Sequence, residues 1–322
     1  MTEYDPIEAL LQATGPRPAI PADRTDRVRR AVRAGWHDEL ARSARAARLR
    51  WGIVFAAAAV VVAAVVVGMR GFPPSPPPAA VPSGVSVERV VGLAWTGPQT
   101  PLAVGSILVL ESQVTTGAGA LAALRARSGH SVRLDGATSV RIESGETFAL
   151  ERGAIYVDSG AESESGAGIR IDTPLGAIED LGTQFAARFD GALTVSVREG
   201  AVTVQTATER LVAEAGQALR IDPSGRVTRS PSPVEGPDWA WAETIAPMMK
   251  IEGRSLQEFL DWVARERGVR VRFKNAEIEG KAPGIVLKGA IDGMTLEQAA
   301  ASVLATCGLS GRWEPGTLVV TR

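Results

Sequence analysis

Ser131-Val132-Arg133-Leu134-Asp135 and Ser139-Val140-Arg141-Ile142-Glu143 set an apolar side chain at every second position, with the turn pair Asp135-Gly136 between them. Period two is the mark of a β-strand with one buried face and one wet face. Leu193-Thr194-Val195-Ser196-Val197 and Ala201-Val202-Thr203-Val204 repeat the pattern, and further turn pairs stand at Ser144-Gly145, Arg152-Gly153 and Glu199-Gly200. Short alternating runs of this kind extend from about Val85 to Arg229. Turn signals every 8 to 12 residues or so predict an all-β domain over residues 85–230: a sandwich, a roll or a short solenoid.

On the C-terminal side the pattern changes from period two to the helical period. Gly253-Arg254-Ser255-Leu256 to Gly268-Val269 is repeated as Gly293-Met294-Thr295-Leu296 to Gly308-Leu309, an offset of 293 − 253 = 40. Each copy opens with a capping box, Ser255 with Glu258 and Thr295 with Gln298. Leu256, Phe259, Leu260 and Val263 then match Leu296, Ala299, Ala300 and Val303 as one apolar helical face, closed by Gly268 or Gly308. Flanking strands are expected at Met249 to Glu252 and Val269 to Phe273, and again at Ile285 to Ile291 and Thr317 to Thr321. Residues 245–322 should therefore form a small α+β domain of two βαβ-like halves. The linker 231–244 carries Trp239 and Trp241, expected to seat it on this unit or on the β domain.

On the N-terminal side, Trp51 to Met69 is uncharged and almost wholly apolar. As a helix it would be about 28 Å long, close to the hydrocarbon thickness of a bilayer. Residues 1–50 hold ten Arg against seven acids, whereas after Arg70 the next basic residue is Arg89. The positive-inside rule then places the N-terminus in the cytoplasm and the C-terminal part outside it, joined by the Pro-rich linker 70–84. A cleaved signal peptide would have a much shorter basic region before its apolar core. The expectation is a single-pass membrane protein: a cytoplasmic arm, 1–50; a transmembrane helix, 51–69; and two exported domains.

The arm holds two helical patterns. Asp5-Pro6-Ile7-Glu8 is a cap with a proline at the first helical position, and Leu10 and Leu11 follow before Gly15-Pro16 stops the helix. The face of Ile7, Leu10 and Leu11 is too small to stabilise itself and calls for a partner's groove. Val28, Val32, Trp36 and Leu40 lie four apart on a stripe flanked by arginines, suited to docking on a protein or to lying on the lipid interface. Asp26, Asp38 and Glu39 interrupt the basic run, which argues against direct nucleic-acid binding.

The remaining composition mostly excludes functions. The net charge of −1 points to no class of partner. Cys307 is the only cysteine and is expected to pack, so neither a disulfide framework nor a cysteine zinc site fits. His37 and His130 are the only histidines, and the proposed topology separates them by the bilayer. No cofactor or metal is expected. Glu162 with Glu164 and Glu179 with Asp180 are the carboxylate pairs that could suggest catalysis; the first lies in the Ser- and Gly-rich loop Ser159 to Gly168, where paired acids are expected to be solvated charge, and the chain is not expected to be an enzyme acting on other molecules.

Ile171-Asp172-Thr173-Pro174-Leu175-Gly176, Leu181-Gly182-Thr183-Gln184-Phe185 and Val197-Arg198-Glu199-Gly200-Ala201-Val202, with the stretch Ser131 to Val157, resemble the core pattern of FecR-type proteins. The resemblance implies a periplasmic FecR domain behind one helix of the bacterial inner membrane, and a cytoplasmic arm that binds an extracytoplasmic-function sigma factor. Family members paired with outer-membrane iron-siderophore receptors usually carry a longer, tryptophan-bearing cytoplasmic domain than this arm. The duplicated unit resembles the short N-terminal domain of secretins and TonB-dependent receptors, which implies a periplasmic or outer-membrane protein partner. Several relatives break their own chain at a Gly-Thr bond by an N-to-O acyl shift, and the corresponding residues here are Gly182 and Thr183. In the structural alternative Gly182 only makes a turn and Thr183 caps a strand. At the level of the whole protein, a membrane-anchored scaffold or glycan-binding module stands beside the anti-sigma regulator.

Overall fold

The computed structural model describes residues 81–97, 99–160, 168–180 and 182–322. The arm positions Ile7, Leu10, Leu11, Val28, Val32, Trp36 and Leu40, the apolar run 51–69, residues 70–80 of the Pro-rich linker and the pair Glu162 and Glu164 lie outside the described residues. Among the described residues no helix is long and apolar enough to cross a membrane.

Alternation produces strands where it was expected. In chain order they are β1 (Pro82–Val91), β2 (Ala94–Thr96), β3 (Thr100–Pro101), β4 (Ile107–Val109), β5 (Gln113–Thr116), β6 (Leu121–Arg125), β7 (Ser131–Leu134), β8 (Ser139–Ile142), β9 (Thr147–Asp158), β10 (Arg170–Thr173), β11 (Gly176–Asp180), β12 (Gln184–Phe189), β13 (Leu193–Glu199), β14 (Ala201–Gln205), β15 (Arg210–Glu214), β16 (Gln217–Ile221) and β17 (Val227–Pro231).

Their pairing resolves the architecture. One sheet runs β4-β1-β6-β7-β9-β12-β13-β16-β17. The other runs β3-β2-β5-β8-β9-β10-β11-β14-β15. Strand β9 belongs to both: its first half pairs with β8 and β10 and its second half with β7 and β12. A bulge at Glu151, skipped between Arg152 opposite Ser139 and Leu150 opposite Val140, bends it from one sheet to the other. From β6 onward the chain alternates between the sheets, so both grow in the same direction. The result is a two-layered roll in which, among the described pairings of β1 to β17, only β9–β10 is parallel. Val132, Leu134, Val140, Ile142, Phe148, Ile155, Phe185 and Val197 fill the space between the layers and are fully buried.

Behind the roll come α1 (Ala240–Thr244), α2 (Leu256–Arg267), β18 (Arg270–Phe273), α3 (Ala276–Lys281), α4 (Leu296–Thr306), β19 (Ser310–Glu314) and β20 (Thr317–Thr321). Both capping boxes form, with Ser255 and Thr295 accepting from the backbone N–H of Glu258 and Gln298. The faces expected on α2 and α4 meet in a separate core with Leu318 and Val320.

The two βαβ-like halves need correction. Met249 to Glu252 and Ile285 to Ile291 are not ladder strands. Three hydrogen bonds join residues 253–256 to residues 285–287: Gly253 N to Leu287 O (3.0 Å), Leu287 N to Arg254 O (2.7 Å) and Leu256 N to Ile285 O (2.8 Å). The contact cannot lengthen, because α2 takes up the backbone from Leu256 onward. Under the offset of 40 the counterpart of β18 is β19, whose Ser-Gly-Arg-Trp-Glu sequence has no apolar alternation to announce it. Strand β20 lies between them, parallel to β18 and antiparallel to β19.

Residues Ala79–Arg322 nevertheless make one compact unit. Because β9 serves both sheets, Phe148→Ala is expected to cost about 3–5 kcal/mol through lost burial and the cavity left behind. Urea denaturation of the purified protein measures this, with Val212→Ala, on an exposed position, as the near-neutral control.

Candidate functional site

Asp180 ends β11 in one sheet and Gln184 begins β12 in the other, so the intervening residues carry the chain across the roll. Gly182 has φ +87°, a conformation that favours glycine. Asp180 Oδ1 accepts the Gly182 N–H at 2.9 Å and also accepts the Thr183 hydroxyl, so one carboxylate oxygen ties the turn. Thr183 is fully buried, and its carbonyl accepts from both the N–H and the hydroxyl of Ser159 at 3.1 Å.

Gly200, with φ +75°, makes the corresponding crossing between β13 and β14 and lies against this turn. A Cβ there would stand 2.7 Å from Thr183 Cγ2 and 2.8 Å from the Gly182 carbonyl oxygen. The Leu-Gly-Thr-x-Phe and Glu-Gly-x-Val elements are thus two halves of one contact.

Behind the turn, His130 Nε2 lies 3.3 Å from Asp180 Oδ2, and Ser128 Oγ is 2.8 Å from His130 Nδ1. Ser128, His130 and Asp180 are all buried. The row Ser128, His130, Asp180, Thr183 places a hydroxyl next to a peptide bond, with a carboxylate at the hydroxyl and an imidazole at the carboxylate. Such a set can activate a hydroxyl. Glu179 and Asp180, adjacent in sequence as a carboxylate pair, are separated by the structure: Glu179 meets Arg170 at the surface, while strand alternation turns Asp180 inward. An Asp two residues before a Gly-Thr pair is the signal that could have exposed it. Nothing in the sequence brings His130 to it. Among the described residues no group of three or more His, Cys, Asp or Glu could hold a metal ion.

Beside this turn lies a second departure from expectation. The polar face of β7 is not wet. Arg133 is 1 % exposed and forms a two-pronged pair with Glu266 of α2, at 2.7 and 2.9 Å. Its guanidinium also donates to Ala242 O at 3.0 Å and lies over the Tyr156 ring. Arg198 of β13 donates to the Glu266 and Arg267 carbonyls at 2.9 and 2.6 Å, where a cation complements the exposed carbonyls of a helix C-terminus. Arg265 reaches Asp158 at 3.0 Å and Glu199 at 2.9 Å. Gln184, next to Thr183, donates to Asp158 and to the Arg265 carbonyl. Trp239 and Trp241 pack edge-on against Tyr156 at 6.0 and 6.4 Å, so the linker seats on the β domain.

Burial penalises charge throughout this interface. It pushes the Glu266 carboxyl up, whereas at Arg133 the facing carboxylates more than offset it and the guanidinium stays charged. At Asp158 burial is again opposed, by Arg265 and Arg133, which hold the carboxyl below the usual range. Burial pushes the Tyr156 phenol up, so it stays neutral.

Residues 112–203 match the family model described as FecR protein. The chain contains a FecR domain. It extends from β5 into β14 and includes His130, Asp180, Thr183 and Gly200, while the α+β unit lies beyond it. Two crystal structures of a candidate anti-sigma factor from Parabacteroides distasonis ATCC 8503, at 2.50 and 1.65 Å, are also similar. Each is 15% identical over 65% of this chain and 98% of its own, with a TM-score of 0.36. At that score the likeness decides neither fold nor function. No curated protein matches the chain.

Removing one partner of the buried pair should be costly. Arg133→Ala is expected to destabilise by about 3–5 kcal/mol, because it leaves Glu266 buried without its counter-charge. Arg133→Met combined with Glu266→Leu should recover most of that loss. Urea midpoints, with protease susceptibility of the linker 231–244, test both.

Proposed function

We propose that the chain is a signal-transducing regulator of the anti-sigma type, anchored in the bacterial inner membrane by Trp51 to Met69, with its arm in the cytoplasm and residues 85–322 in the periplasm. The observation that carries this reading is a FecR domain standing behind a single apolar run and an arginine-rich arm. The arm would fold on an extracytoplasmic-function sigma factor through Ile7, Leu10 and Leu11 and the stripe of Val28, Val32, Trp36 and Leu40. Folding on a partner costs ordering free energy and leaves the complex open to being shifted. On the other side, the α+β unit would receive the periplasmic partner and pass the event to the FecR domain through the charged interface.

Copurification of the full chain with a sigma factor tests the cytoplasmic half. Val32→Asp with Trp36→Ala should abolish capture, and capture at the wild-type level would remove the stripe from the docking surface. A reporter fused ahead of Trp51 should be active only in the cytoplasm; activity outside it would overturn the topology.

Breakage of the Gly182–Thr183 bond belongs to the same proposal. It is supported by the buried hydroxyl of Thr183, the turn at Gly182 and the close approach of Gly200. Thr183 Oγ1 would attack the Gly182 carbonyl, and water would then hydrolyse the ester. Intact mass measurement should find fragments 1–182 and 183–322 from the wild type and a single full-length species from Thr183→Ala.

A further inference from the structure

We propose that Asp180 is the base that takes the Thr183 hydroxyl proton, and that His130, held in turn by Ser128, is a positioning residue for that carboxylate. The inference rests on the Gly182–Thr183 reading and goes beyond it by assigning the proton transfer.

Three observations carry it. First, Asp180 Oδ1 accepts the Thr183 hydroxyl and the Gly182 N–H together, so the carboxylate already touches both the nucleophile and the residue whose carbonyl it would attack. Second, Asp180 Oδ2 is enclosed and accepts no hydrogen bond, and the nearest facing side-chain nitrogen is His130 Nε2 at 3.3 Å. Third, the other carboxylates buried beside it have a different kind of partner. Asp158 pairs with Arg133 and Arg265, Glu266 with Arg133, and Glu243 with Arg198 and Arg267. Among the described residues no arginine or lysine pairs with Asp180. A guanidinium fixes a carboxylate's charge and weakens its hold on a proton, whereas an imidazole can itself gain or lose one. The carboxylate is thus buried with one oxygen on the Thr183 hydroxyl and an imidazole, not a fixed cation, at the other.

The step balances with water as the one co-reactant. Asp180 takes the proton from Thr183 Oγ1 as that oxygen bonds to the Gly182 carbonyl carbon. The bond from that carbon to the Thr183 nitrogen breaks, its electron pair stays on nitrogen, and Asp180 returns the proton there. An ester and a free α-amine result. Water hydrolyses the ester to the Gly182 carboxylate and restores the Thr183 hydroxyl. Gly200 leaves room beside the Gly182 carbonyl oxygen and borders the Thr183 methyl group, so Gly200→Ala would crowd both.

The test follows full-length chain by intact mass against time, with and without hydroxylamine, which intercepts an ester. Asp180→Asn can still accept the Gly182 N–H but cannot take a proton, so cleavage should slow by about 10²- to 10⁴-fold. Thr183→Cys should restore cleavage in the Asp180→Asn background, because a thiol gives up its proton far more readily than an aliphatic hydroxyl and so depends less on a base. That rescue would not occur if Asp180 only held the fold. His130→Ala should slow the reaction, and His130→Gln, which keeps a polar group toward Oδ2, should recover part of the rate. Cleavage of Asp180→Asn at the wild-type rate, with Thr183→Ala intact, would overturn the base assignment alone. A wild-type chain that stays whole even in hydroxylamine would overturn both that assignment and the Gly182–Thr183 reading.

Discussion

The bidentate pair between Arg133 and Glu266 constrains much of the rest of the molecule. A charge on the outward face of a strand ordinarily stays in water, and here the end of α2 covers it. Once that helix is seated, neighbouring groups must complete the polar set: Arg198 binds the last helical carbonyls, Arg265 meets Asp158, and Tyr156 takes Trp239 and Trp241 on its ring. Buried ion pairs contribute little net stability and are strongly position-specific, since any misplacement strands a charge. This interface accordingly favours one docking geometry between the roll and the α+β unit.

The alternation of the chain between two sheets explains why the candidate site lies beside that interface. Each crossing leaves a turn at an edge of the roll. Asp158 ends β9 and Ser159 follows it, Asp180 ends β11 with Gly182 and Thr183 leading into β12, and Gly200 joins β13 to β14. These turns stack, and the β6–β7 hairpin adds Ser128 and His130. Gln184 then touches both worlds: its backbone continues from Thr183 and its side chain binds the Arg265 carbonyl of α2. A change in how the α+β unit sits has a short, physically connected route to the Gly182–Thr183 peptide.

Much of the architecture was legible because it rests on local rules. Period two marked β7, β8, β13 and β14, the capping boxes marked both long helices, and Gly182 and Gly200 stood out as turn positions. The misses share one cause. Arg133 looked solvated because strand alternation assigns faces without saying what covers them. Met249 to Glu252 looked like a strand because alternation of apolar and charged residues does not reveal how many residues its partner can offer. Glu179 and Asp180 looked alike because adjacent residues on a strand point opposite ways, and only the sheet assigns inside and outside.

What the amino-acid sequence determined alone was the order of parts: an arginine-rich arm, an apolar run, alternating strands and a duplicated helical unit, each set by hydrophobic period and turn chemistry within a few residues. Tertiary structure alone decided which strands share a sheet and that β9 serves two. It alone brought His130 to Asp180 across fifty residues of chain and buried Arg133 under a helix more than a hundred residues away. Local propensity acts along the chain, whereas burial and charge pairing depend on distances in space, which only the completed packing sets.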